Sequence, residues 1–373
     1  MNENVLENAT HTAATAGFGD LLREVSAGAT TRDRDPGFPE APFRALAAAG
    51  VLGMTAPGEP EGGDRGVSFA EEWRVLRAVA RADGSVGRIL DGHFNGVERV
   101  SALAPEPLRS AELRAVAAGE LRLGVWGADP IPGEGEPARL IDAGRRLSGT
   151  KTFCSGSTGL DRALVLVRGE DGAPGPPLLA YVDLSEGIEV DTAWFKGAGM
   201  RSSESHRVHF DGATVLAVLG EPGEISREPF FARDAVRTAV TWAGIADLAV
   251  ESALEVLAAK SAGREPDDLV SLAAGRMLTA QGNMDRWLEY AAARADADPF
   301  ASLSGFSTQL RESIAASCRA ILDEAARATG SHPFAASGPL DRARRDLELF
   351  LLQHRLEPAL VRRGRRAITD RRS

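Results

Sequence analysis

Near its C-terminus the chain reads RRDLELFLLQHRLEP, residues 344–358, and the spacing of its residues raises a chemical question. Leu347, Phe350, Leu351 and His354 recur at i, i+3, i+4 and i+7, one stripe of a helix. An imidazole stands where a fourth apolar side chain is expected. A neutral imidazole near pH 7 can take or give a proton, so His354 is a candidate general base. The same residue also suits a packed position in which its ring bonds a backbone carbonyl. The six histidines, at 11, 93, 206, 209, 332 and 354, have no zinc-ligand spacing. SGSTG, Ser155 to Gly159, lacks the Gly-x-Ser-x-Gly order of a hydrolase nucleophile, and GEGEP and GGDRG read as turns and not phosphate loops.

The elements that must position such residues change character twice along the 373 residues. To about Ala118 the chain is rich in Ala, Leu and Arg at helical spacing, broken by Pro/Gly loops. From about Leu121 to Glu221 it reads as strands: RALVLV and LLAYVDL are short apolar runs divided by a Gly/Pro-rich loop, and LIDAGRRL is a tight hairpin. In SHRVHFDGATV, His206, Val208 and Phe210 face one way and Arg207 and His209 the other, with Asp211-Gly212 expected as a hairpin turn. Since His206 and His209 lie on opposite faces, they cannot share one metal. Helical spacing then returns in four long segments, roughly 229–261, 267–295, 304–328 and 339–356, the pattern of a four-helix bundle. The arginine-rich tail RRGRRAITDRRS reads as a solvated end.

This order predicts an α+β multidomain chain: an N-terminal all-α domain over 1–118, a middle antiparallel β-domain (barrel or sandwich) over 119–225, and a C-terminal four-helix bundle over 226–373. A formal charge of −10 argues against nucleic acid or an anionic membrane as partner. There is no signal-peptide pattern and no run of apolar residues long enough to span a membrane. Two cysteines, Cys154 and Cys318, are too few for a disulfide framework, which points to a reduced, cytoplasmic setting.

Taken in order, LAAAGVLGMTAPGEPEGG, LRAVARADGSVG, LSGTKTFCSGSTGLDRALVLV, FKGAGMRSSESHRVHFDGATV, WAGIADLAVESALE and TGSHPFAASGPLDRARRD resemble successive segments of the acyl-CoA dehydrogenase superfamily of flavoproteins. The resemblance implies a flavin, usually FAD, between the β-domain and the bundle. It also implies an acyl thioester substrate that loses an α-proton to a carboxylate and a β-hydride to the flavin, and a homodimer or homotetramer. One family position for the catalytic Glu, eight residues after the Asp of the Arg-Asp pair, falls on His354; the other, about ten residues before the Gly of Gly-Ile-Ala, falls on Asp234. An ion pair with Arg233 or Arg237 is the other reading of Asp234. Trp126 stands near the family's flavin-contacting Thr, and Phe153 and Ser155 match the aromatic and hydroxyl residues that flank the flavin ring, with Phe153 as plain β-core the alternative. Arg264 matches an arginine that contacts the cofactor's pyrophosphate, but Asp267 and Asp268 replace its Phe-Gly neighbours, and two carboxylates there repel a pyrophosphate.

The functional expectation is therefore an FAD-linked oxidoreductase acting on the CH-CH group of an acyl thioester, with an unidentified electron acceptor. Two alternatives stand beside it. One is a two-component monooxygenase of the same fold, taking reduced FMN or FAD from a reductase and lacking the catalytic Glu. The other is a non-catalytic homologue that keeps the fold for binding.

Overall fold

A computed structural model describes residues 4–58, 65–172, 174–353 and 355–371. His354, the base candidate, lies outside the described residues. The chain divides into two compact units. The first comprises residues 1–68, 78–196 and 201–225, and the second 69–77, 197–200 and 226–373.

The first unit begins with helices α1 (Asn4–Arg34) and α2 (Glu40–Ala48); α3 (Phe69–Ala82) is divided between the units. Helices α4 (Gly84–Leu103) and α5 (Leu108–Ala117) follow. Asp83 starts α4 by accepting hydrogen bonds from the N–H groups of Ser85 and Val86, the arrangement an N-cap carboxylate favours. The sheet contains β1 (Leu123–Trp126), β2 (Arg139–Ile141), β3 (Arg146–Cys154), β4 (Arg162–Val167), β5 (Leu178–Asp183), β6 (Ile188–Asp191) and β7 (His206–Leu219). Its order is β1-β4-β5-β7-β3-β2, with β6 also on β7. Every pair is antiparallel except β1 with β4. The core forms where Val97 and Val100 of α4 and Leu113 and Val116 of α5 meet Leu123, Leu164, Leu179, Tyr181 and Leu219 of the sheet.

Asp211-Gly212 is not the hairpin turn the Asp-Gly signal predicts; β7 runs straight through it. Ser148 pairs with Asp211 and Leu147 with Ala213, so Gly212 is the extra residue of a bulge, and its φ of +78° is one that glycine adopts without strain. Before the bulge β7 pairs with β6, and after it with β5. The same dipeptide therefore redirects a strand instead of ending it.

A buried histidine joins α4 to the sheet. His93 is fully buried; its Nδ1 accepts the Leu123 N–H at 3.1 Å, so Nε2 carries the proton donated to the Leu52 carbonyl at 2.9 Å. Burial pushes this imidazole down to about 4. The unfolded chain then takes up a proton near pH 6.5 that the folded chain refuses until about 4. The contribution is present above pH 6.5 and is lost as pH falls through that window, at about 1.4 kcal/mol per pH unit and about 3 kcal/mol in all. The thermal midpoint of the wild type is expected to fall more steeply between pH 6.5 and 4 than that of His93→Gln. Equal slopes in a pH series of melting curves contradict this assignment.

In the second unit α6 (Phe230–Lys260), α7 (Asp268–Ala297), α8 (Ser304–Thr329) and α10 (Pro339–Phe350) are the four expected bundle helices; α9 (His332–Ala335) is a single turn before α10. Met277, Met284, Ile314, Cys318 and Ile321 fill the interior beside α6. Among the described residues no helix is long and apolar enough to cross a membrane.

The C-terminal end departs from expectation. The stripe of Leu347, Phe350 and Leu351 is buried, but α10 stops at Phe350, short of 356, and closes with i→i+3 bonds from the Leu352 and Gln353 N–H groups. The arginine-rich tail is solvated as expected, but helical: α11 (Glu357–Thr369) is started by Pro358, whose fixed φ suits a first helical turn. None of its side chains is buried.

Candidate functional site

The bulge in β3 sets the geometry of the site. Lys151 pairs with Val208 and Cys154 with His206, so three steps on β3 match two on β7. Phe153 falls in the extra step with φ +52°, a backbone region costly for an aromatic residue, and its ring is 55% exposed while Lys151, Thr152 and Cys154 are buried. Plain β-core, the alternative reading of Phe153, is thereby removed. The ring of Trp194 meets Phe153 edge-on, with centroids 4.9 Å apart at 81°, and its Nε1–H donates to Glu134 Oε1 at 3.1 Å. An apolar ring is thus held out from the sheet and largely exposed, which suits stacking by a planar aromatic group.

Ser155 follows immediately, half-buried, its hydroxyl 2.9 Å from that of Ser205, which lies 2.8 Å from that of Ser203. Trp126 is 1% exposed and packs against Phe210 with ring centroids 6.4 Å apart, so it has no open surface. Its Nε1–H donates to the Ser155 carbonyl at 3.0 Å, which holds the 153–155 segment in place. Lys151 fastens the neighbouring loop: its buried ammonium donates to Asp129 Oδ1 at 2.7 Å and to the Gly127 carbonyl at 3.2 Å. Burial pushes this lysine down from its ordinary value, and the Asp129 carboxylate opposes the shift.

The turn after Phe153 is joined to residues 203–206. The Gly156 N–H donates to the Ser203 carbonyl at 2.8 Å, and the Ser157 N–H and hydroxyl both donate to the Glu204 carbonyl, at 3.2 and 2.9 Å. Thr158 donates to Glu204 Oε2 at 2.7 Å, and His206 Nε2 lies 3.3 Å from the same oxygen. Burial resists the charge of Glu204, yet the bonds from His206 and Thr158 outweigh it and hold the carboxyl below its usual range. Glu204 too has a left-handed backbone, φ +49°.

The other residues singled out from the sequence lie in the second unit. Asp234 is near the start of α6, with an oxygen 3.7 Å from Arg237 Nη1. Arg237 is fully buried and bonds Glu72 through Nε at 2.5 Å and Nη2 at 3.2 Å. The ion pair expected of Asp234 is therefore present, as one side of an Asp–Arg–Glu cluster. Arg264 is exposed and donates to the Lys260 carbonyl at 3.2 Å. Asp267, read from sequence as repelling a pyrophosphate, also caps α7 by accepting the Leu269 N–H at 2.9 Å.

Trp194, Thr158, Glu204 and His206 were not among the residues expected at a site. The run SSESH, residues 202–206, dense in hydroxyl and titratable groups just before and at the start of β7, is the signal that marks Glu204 and His206; Trp194 and Thr158 carry no such signal. Among the described residues no cluster of His, Cys, Asp or Glu could hold a metal.

Comparison with known proteins agrees with this fold. Residues 10–120 match the family model Acyl-CoA dehydrogenase, N-terminal domain. The dibenzothiophene monooxygenase TdsC of Paenibacillus sp. A11-2, solved with FMN and indole, superposes with a TM-score of 0.78 at 22% identity, covering 93% of this chain and 95% of that one. The amino sugar nitrososynthase RubN8 of Streptomyces rubradiris is 33% identical over 262 residues, 65% of this chain and 60% of the relative. A dibenzothiophene monooxygenase of Rhodococcus qingshengii is 28% identical over 223 residues, 56% of this chain and 50% of its own length. The chain thus spans only 50–60% of the length of these sequence relatives. Fold and N-terminal domain together define an acyl-CoA dehydrogenase-like architecture. Residues 10–120 are similar to the N-terminal domain of acyl-CoA dehydrogenases, and the chain as a whole shares the fold of TdsC.

Proposed function

We propose that the chain is a flavin-dependent oxygenase that transfers an oxygen atom to the sulfur or nitrogen of a small molecule, using FMN reduced by a separate reductase. Of the alternatives raised by the sequence, this one is favoured over acyl thioester dehydrogenation. The observation that carries it is the state of the two family positions for the base. One is an imidazole, His354, and the other, Asp234, faces the guanidinium of Arg237 at 3.7 Å. Neither position keeps the family's Glu, and the Asp234 carboxylate is already engaged with a buried arginine, so acyl thioester dehydrogenation would rest on His354 alone. The relatives named above, a nitrososynthase and dibenzothiophene monooxygenases, point the same way.

In this reading Phe153 stacks on the flavin ring and the Ser155 hydroxyl bonds its edge, with Trp126 holding Ser155 from behind. The open ring and half-buried hydroxyl fit a planar, hydrogen-bonding heterocycle. FMN suits the chain better than FAD because the acidic Glu265, Asp267 and Asp268 beside Arg264 oppose a pyrophosphate. Bound reduced flavin would supply the two electrons that let one oxygen atom of dioxygen go to the substrate heteroatom and the other leave as water.

The test begins with FMN-loaded protein under anaerobic conditions and a panel of acyl-CoAs; no bleaching of the flavin band is expected. In air, with a flavin reductase and NADH, a panel of aryl sulfides and amino sugar nucleotides is expected to give oxygenated product. Bleaching by an acyl-CoA overturns the proposal and restores the dehydrogenase reading.

A further inference from the structure

We infer that Glu204, His206 and Thr158 form a positioning clasp that fixes how Phe153 presents its ring. The clasp sets the affinity of the site for a planar aromatic ligand. The inference rests on the reading of Phe153 as the stacking platform. It starts from two left-handed residues, Phe153 at φ +52° and Glu204 at φ +49°, neither of them glycine. Strain of this kind persists only where the surroundings over-determine it. Here each strained residue lies next to a segment that the other holds: the turn leaving Phe153, residues 155–158, is bonded at four successive positions to Ser203, Glu204 and Ser205.

The bonds divide into two kinds. Those from Gly156 and Ser157 go to backbone carbonyls and would hold whatever side chain stood at 204. The bond from Thr158 goes to the Glu204 carboxylate, so it depends on that side chain's rotamer. His206 is what holds the rotamer. It lies directly across from Cys154 on β7, is 6% exposed, and directs Nε2 at Glu204 Oε2. Its Nδ1 is enclosed and finds no partner among the described residues, while the Phe195 ring packs edge-on at 6.4 Å. His206 Nε2 is aimed at the Glu204 carboxylate.

Gly156 belongs to the same device. Its φ is +76°, and a Cβ there would approach Leu160 to 2.9 Å, so the turn passes closely over Leu160 before reaching Thr158.

The experiment uses the full chain with FMN and three variants: Thr158→Val, Thr158→Ser and Glu204→Gln. Thr158 is exposed, so its replacement by valine is expected to cost only its one hydrogen bond to Glu204, a fall of a few degrees in melting temperature. FMN Kd is expected to rise about five-fold in Thr158→Val, the weight of one hydrogen bond, and at least as much in Glu204→Gln; Thr158→Ser restores the wild-type value. A second readout needs no flavin. Chymotrypsin cleavage after Phe153 is expected to quicken in Thr158→Val and Glu204→Gln and to return to the wild-type rate in Thr158→Ser. Wild-type cleavage rates in both Thr158→Val and Glu204→Gln overturn the clasp. If the wild-type chain binds no FMN, the functional reading falls, and the cleavage rates still decide the clasp alone.

Discussion

Replacing Phe153 with asparagine is expected to raise the Kd for FMN by about 10- to 100-fold while leaving the melting temperature within a few degrees of wild type. The two halves have separate causes. Stacking of a planar ring on an aromatic side chain contributes about 1–3 kcal/mol, which sets the range in affinity. The stability change is a near cancellation. Asparagine tolerates the left-handed backbone at 153, which relieves about 1 kcal/mol of strain, and removing the edge-on contact with Trp194 costs about as much. Phe153→Tyr keeps the ring and is expected to keep the affinity. Fluorescence titration with FMN and a thermal melt of each variant check both halves. Were Phe153→Asn to bind FMN as the wild type does, Phe153 would not be the platform.

The second large effect concerns the buried charges beside Asp234. Arg237→Met is expected to destabilise the chain by about 3–5 kcal/mol, because it removes the guanidinium that pairs with the fully buried Glu72 carboxylate. Asp234→Asn removes the weaker, partly exposed side of the cluster and is expected to cost about 1 kcal/mol or less. Urea unfolding of the two variants measures the difference directly. The contrast also bears on function. If Asp234 served as the base of a dehydrogenase, Asp234→Asn would abolish reduction of the flavin by an acyl-CoA. In the oxygenase reading there is no such reduction to lose, and oxygen transfer continues. Equal destabilisation by both variants would show Asp234 to be as integral to the fold as Glu72.

His93 and Glu204 show opposite uses of burial. Both are titratable and enclosed. Imidazole nitrogens that bond two backbone groups can stay neutral, so burial dominates and the pKa falls. A carboxylate that receives bonds from a hydroxyl and an imidazole stays charged in spite of burial. The first arrangement serves the joint between helix and sheet; the second serves the turn that carries the platform.

Much of the architecture was legible in the residues themselves. The 3.6-residue spacing of Val250, Leu254 and Leu257, and of Leu310, Ile314 and Ile321, marks α6 and α8, because one face of a bundle helix must be apolar along its length. Alternation marks β7, and a short Gly-containing turn marks the hairpin between β2 and β3. Phe153, Ser155 and Asp234 could be picked out because their neighbours resemble family segments. What sequence could not decide depends on partners distant along the chain. Asp-Gly at 211–212 has the same local preferences in a turn and in a bulge; pairing with β3, β5 and β6 selects the bulge. Phe153 has the residue type of a core position, and only the register slip against β7 turns its ring outward. Trp126 has the type of a ligand contact, and packing against Phe210 turns it inward to support Ser155. Glu204 and His206 are separated by one residue, yet their role appears only once strand pairing places His206 across from Cys154 and the 155–158 turn over Glu204. Local periodicity determines which elements form, since it reports which face must leave water. Register and long-range hydrogen bonds determine which side chains those elements present.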